Sequence, residues 1–62
     1  MIIKLNEAMI DAKIRPSELA EKLGVERSQV TRWRRKVPRF ETMCRISKIL
    51  KIPISKIWIG EK

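Results

Sequence analysis

A chain of 62 residues with one cysteine and no histidine can form no internal disulfide and offers no zinc-ligand set. The net charge of +8 points to a polyanionic partner such as nucleic acid. It is unevenly placed: residues 1–26 carry four basic and five acidic side chains, net −1, and residues 27–62 carry eleven and two, net +9.

One domain is expected over residues 1–62, burying about 60% of its unfolded surface. No apolar run approaches the ~20 residues of a membrane span, and Ile2-Ile3 is too short for a signal-peptide core. A soluble protein in a reducing compartment is the expectation.

In chain order, Met1 to about Lys13 predicts a first helix. Leu5, Ala8, Met9 and Ala12 recur at i, i+3, i+4 and i+7. Lys4, Glu7 and Asp11 fill its outer face, and Ile14 plugs the core from the connection. Pro16 suits the first position of a second helix, since its fixed φ helps and its missing N–H is not needed there. Glu18 then meets the positive end of the helix dipole. Leu19, Ala20 and Leu23 share one face. Arg15 is a poor cap, where Ser, Thr, Asp or Asn is preferred. It is either a phosphate contact or an exposed arginine without a partner.

Gly24 can take the left-handed conformation that ends this helix. A further helix runs from about Arg27 to Arg35, with Val30 and Trp33 turned inward. A small residue at 20, a turn glycine at 24 and an aliphatic knob at 30 describe a helix-turn-helix over about residues 16–35. The second helix of that motif enters the major groove of DNA. Its outward positions are Arg27, Ser28, Thr31 and Arg32. Arg27 can fork onto guanine O6 and N7, Ser28 can reach a base edge, Thr31 offers a methyl and a hydroxyl, and Arg32, one turn further along, can reach either a base or a phosphate. Gln29 points sideways, toward a phosphate. Glu26 can accept from cytosine N4, hold Arg27 in place or cap the helix; the last two are expected.

Six basic residues and no acid lie between Arg27 and Arg39. They are mostly arginine, whose planar fork suits phosphate and guanine. Arg34-Arg35-Lys36 also suits the negative end of a helix dipole. Val37-Pro38 breaks the helix. A fourth helix follows, about Phe40 to Leu50, with Phe40, Met43, Ile46, Ile49 and Leu50 as its apolar face. Cys44 is a packing or partly exposed residue, and with no base nearby in sequence it is no candidate nucleophile. Lys51-Ile52-Pro53 is a second break. Ile54 to Ile59 predicts a short fifth helix, on which Ile54, Ile57 and Trp58 close the core. Ile57, Trp58 and Ile59 together exceed one core contact. The surplus is either a dimer contact or, with Ile57 and Trp58 in the core, a stray exposed Ile59.

From Ile2 to Gly60 the sequence resembles the phage repressor and Cro family, also called the Xre family. The resemblance rests on Ser-Glu-Leu-Ala-Glu-Lys-Leu-Gly-Val at 17–25, Val-Thr-Arg-Trp at 30–33 and Val-Pro-Arg-Phe at 37–40. It continues through Ile-Ser-Lys-Ile-Leu at 46–50 and Ile-Pro-Ile-Ser-Lys-Ile-Trp-Ile-Gly at 52–60. It implies a compact all-α, five-helix domain that binds double-stranded operator DNA as a two-fold, weak dimer on a palindromic site. It also implies a place in the bacterial or phage-infected cytoplasm, at the nucleoid.

Carried over by position, base reading falls on Arg27, Ser28, Thr31 and Arg32. Backbone contacts fall on Arg15, Ser17, Gln29, Arg35, Lys36 and Arg39, and Arg34 is free to join them. The dimer surface falls around Arg39, Phe40, Ile54 and Trp58, with Ile59 beside it. Several positions depart from the family pattern. A common arginine–glutamate pair is replaced by Met9 and Arg34, so both charges go together and none is stranded. Pro16 stands where a glutamine often helps fix the DNA backbone. Lys36 and Lys51 stand where glycine is common, and each needs a different or a mildly strained turn.

The expected function is a small sequence-specific transcriptional regulator, Cro-like or a repressor, needing no cofactor, metal or small-molecule ligand. The alternative is an antitoxin or adaptor that keeps the fold and binds another protein through its C-terminal apolar residues. No constellation supports an enzyme.

Overall fold

The computed structural model describes residues 2–60. Its elements are β1 (Ile2–Ile3), α1 (Leu5–Asp11), α2 (Pro16–Leu23), α3 (Arg27–Arg32), α4 (Phe40–Leu50), α5 (Ile54–Ile57) and β2 (Trp58–Ile59). Five helices make the body, as the sequence predicts, and a two-strand ladder is a small addition to it.

Each helix contributes the face that its periodicity selects. Leu5, Ala8 and Met9 come from α1, Leu19, Ala20 and Leu23 from α2, and Met43, Ile46 and Leu50 from α4. Val30, Trp33, Ile57 and Trp58 complete the core. Ala20 is 4% exposed, so the face of α2 that carries it is closed off by packing. Met9 is buried where the family that the sequence resembles often has an arginine, so a thioether fills the space of a charge.

Three helix ends are built alike. Ile14 N–H donates to Met9 O at 2.9 Å, Val25 N–H to Ala20 O at 3.0 Å, and Ile52 N–H to Ser47 O at 3.2 Å. Each bond spans five residues, and the residue before its donor is left-handed: Lys13 (φ 57°), Gly24 (φ 72°) and Lys51 (φ 59°). Each donor carries an apolar side chain packed against the core. This is the helix-ending motif in which an apolar residue just past the left-handed one returns to the helix. At Lys51 the end is further held by Ser47, whose Oγ donates to Ile52 O at 2.6 Å.

The strained lysine turn that the sequence allowed is therefore found at Lys51, and also at Lys13, where nothing in the sequence marks it. Lys36 has no positive φ and takes a different turn. A left-handed conformation costs a side-chain-bearing residue ~1–2 kcal/mol, and glycine returns part of that as unfolded-state entropy. Lys51→Gly should therefore stabilise the domain by about 0.5–1 kcal/mol, a rise in Tm of ~2–8 °C for a chain this small. Thermal unfolding followed by circular dichroism checks this.

Both ends of the expected helix pattern need correction. Met1 lies outside the described residues. Ile2 and Ile3 form a strand rather than the start of a helix, pairing antiparallel with Ile59 and Trp58. Lys4 N–H extends the ladder to Ile57 O at 2.7 Å, and α1 starts only after it. The fifth helix accordingly stops at Ile57, and Trp58 is extended (φ −119°, ψ 106°). β-Branched and aromatic residues suit such a ladder better than a helix.

The helix expected to reach Arg35 ends at Arg32. Beyond it, Arg34 N–H bonds Thr31 O and Arg35 N–H bonds Arg32 O, at 3.2 and 3.0 Å. The chain tightens into three-residue turns ahead of Pro38. Phe40, expected on the apolar face of α4, is 71% exposed. It lies in the first turn of α4, where the core no longer covers that face.

Candidate nucleic-acid interface

Helices α2 and α3 are joined by Gly24, Val25 and Glu26 and pack directly on each other. Val30 is fully buried and Trp33 nearly so, which fixes the roll of α3. The roll leaves Arg27, Ser28, Gln29, Thr31 and Arg32 exposed. All four positions expected to read bases thus share the free side of one short helix. Arg34, Arg35, Lys36 and Arg39 are exposed in the segment that follows, and Arg15 and Ser17 are exposed around the start of α2.

None of these cations is paired with a described carboxylate. Among the described residues the one ion pair is Lys4 with Glu7, at 3.9 Å, on α1. The candidate interface therefore presents its positive charge unpaired, as phosphate binding requires.

Two hydroxyls on α3 are engaged. Thr31 Oγ1 donates to Arg27 O at 3.3 Å, so Thr31 offers outward a methyl and an acceptor oxygen rather than a donor. Ser28 Oγ donates to Glu26 Oε2 at 3.4 Å. The expected roles of Glu26 are not found. Its side chain makes no cap bond to α3, and it forms no ion pair with Arg27.

At α2 the cap is made from the other direction. The backbone N–H of Arg15 donates to Glu18 Oε1 at 3.4 Å, while the arginine side chain, having no acceptor, cannot reciprocate. Glu18 three residues after Arg15 is the signal that marks this half of a capping box. The Arg15 guanidinium pairs with no described carboxylate.

Residues 4–59 match the sequence profile of the Cro/C1-type helix-turn-helix DNA-binding domain. The chain belongs to that family. Comparison with curated proteins and with solved structures yields no match. The Cro/C1-type match takes in the helix-turn-helix, the basic segment after α3 and all but the first residues of the strand ladder. It makes this chain a DNA-binding domain at the level of the family. No group of three His, Cys, Asp or Glu side chains gathers among the described residues. Nor is any described helix long and apolar enough to cross a membrane.

The residues proposed for a dimer surface are not alike in this Cro/C1-type fold. Arg39 and Phe40 are exposed, and Ile54 and Ile59 are half-buried. Trp58 is 4% exposed and belongs to the core, so its ring is not offered to a partner. Its indole Nε1 is buried with no hydrogen-bond partner among the described residues.

Proposed function

We propose that this domain is a sequence-specific regulator of transcription that lays α3 in the major groove. The observation that carries the reading is the free face of α3, with Arg27, Ser28, Thr31 and Arg32 together and no described acid pairing either arginine. Arg27 and Arg32 read guanine edges, and Thr31 sets its methyl against a thymine methyl. Arg15, Ser17, Gln29, Arg34, Arg35, Lys36 and Arg39 hold the phosphate backbone. Two copies bind a palindromic operator, meeting through Arg39 and the exposed ring of Phe40, with Ile54 and Ile59 at the margin. Five of the fifteen basic residues are assigned to the backbone of DNA of any sequence, and α3 supplies the selection.

The test is selection of bound duplexes from a random pool at physiological salt. An inverted repeat with half-site centres about one helical turn apart is expected. Arg27→Ala should then cost ~1–3 kcal/mol and relax the preference at one base pair per half-site. A uniform loss over all sequences would make Arg27 a phosphate contact. A wild-type protein that enriches no sequence would overturn the regulator reading. The exposed Phe40 favours, as the second reading, a module whose partner is another protein.

A further inference from the structure

Resting on the DNA-binding reading above, we propose that Glu26 is a specificity-determining residue that accepts a hydrogen bond from the exocyclic amino group of a cytosine. It is the one acid between Glu21 and Glu41, and six basic residues follow it between Arg27 and Arg39. A carboxylate placed there opposes attraction to phosphates. It favours binding only where the nucleic acid presents a hydrogen-bond donor.

Neither of the expected roles within the protein, helix cap or partner of Arg27, is filled. Glu26 has extended backbone (φ −77°, ψ 152°) at the entrance to α3, but its side chain caps nothing. It pairs with no cation among the described residues. Among the described residues the one hydrogen bond to its side chain comes from Ser28 Oγ at 3.4 Å. That bond is long and comes from a neighbour on the reading face, so it steers the carboxylate toward that face and leaves Oε1 free.

The chemistry of the groove selects the donor. The polar groups that guanine and thymine present along the major-groove edge are all acceptors, which a carboxylate repels. Adenine offers N6–H₂ beside the N7 acceptor, so one oxygen is attracted while the other is repelled. Cytosine offers N4–H₂ with no acceptor on its own edge. The next residue, Arg27, brings the opposite charge and suits guanine O6 and N7. Adjacent side chains of opposite sign thus match the donor and acceptor edges of C·G pairs.

The experiment compares wild type, Glu26→Ala and Glu26→Gln by selection from a random pool, then by titration of duplexes varied at each position. Wild type should prefer cytosine at one position per half-site by roughly 5- to 150-fold. Glu26→Ala should show no preference there and keep every other. Glu26→Gln should shift that position toward adenine, whose N6 and N7 a glutamine amide matches. Both variants should melt like the wild type, since the exposed side chain holds no cap.

The proposal is overturned if Glu26→Ala binds every duplex more tightly by one factor with all preferences kept, which would make Glu26 a purely electrostatic brake. A fall in melting temperature with unchanged preferences would overturn it in favour of a structural role. Absence of any wild-type motif would instead remove the DNA-reading function beneath it.

Discussion

Raising monovalent salt from about 50 to about 200 mM should weaken binding of one protomer to a duplex roughly 500-fold. The figure follows from the five cations assigned to the backbone: Arg15, Arg34, Arg35, Lys36 and Arg39. Each neutralised phosphate releases counterions and adds about −0.9 to the slope of log K against log salt, which gives about −4.5. All five are exposed, and no described carboxylate pairs with them, so their charge is available to DNA in full. Arg35→Ala should lower the slope to about −3.6 and the loss to roughly 150-fold. A two-fold dimer on a palindrome engages both sets and should approach −9. Fluorescence anisotropy with a labelled duplex reads all three values. A slope near −1 would mean that the basic segment lies away from the DNA.

Trp58→Ala should leave little folded protein. Removing a buried tryptophan costs ~3–5 kcal/mol, and a domain of this length has only ~3–9 kcal/mol to lose. Trp58 is 4% exposed and takes part in both the core and the strand ladder. Trp58→Phe should behave otherwise. It forfeits some packing, but it also removes the buried N–H that finds no partner among the described residues. Such an orphan donor costs ~1–3 kcal/mol, so the phenylalanine variant should lie within about 1 kcal/mol of wild type. Urea unfolding of both variants separates this core role from a dimer role. A dimer residue would instead leave the monomer stable and weaken DNA binding. Substitutions that make Trp58 polar therefore cannot probe an interface, because they unfold the chain first. Phe40, exposed and outside the core, is the residue for that purpose.

The helix-turn-helix was legible because local rules agree there. Pro16 opens α2, Gly24 closes it with a positive φ, and the spacing of Val30 and Trp33 sets the roll of α3. That roll alone exposes Arg27, Ser28, Thr31 and Arg32. What local periodicity could not reveal was pairing between the ends of the chain. Ile2-Ile3 and Trp58-Ile59 are too short to show alternation, so each looks like an extension of its neighbouring helix. Phe40 misled for a different reason: a helical wheel gives the face of a residue but not whether anything covers it. Lys13 shows the limit from the other side. Its left-handed turn is imposed by Ile14 seeking the core, and no feature of lysine announces that.

The ladder between residues 2–3 and 58–59 also bears on the order in which the molecule assembles. It joins positions separated by almost the whole chain, whereas α2 and α3 meet across a three-residue turn. Long closures gain their contacts only after the intervening chain is ordered, so local helical pairs lead and distant strands follow. Contacts made after the folding barrier hold the native state against opening without hastening its formation. The two-residue strands thus act as a latch: weakening them quickens unfolding, while the rate of reaching the five-helix body stays set by the helices.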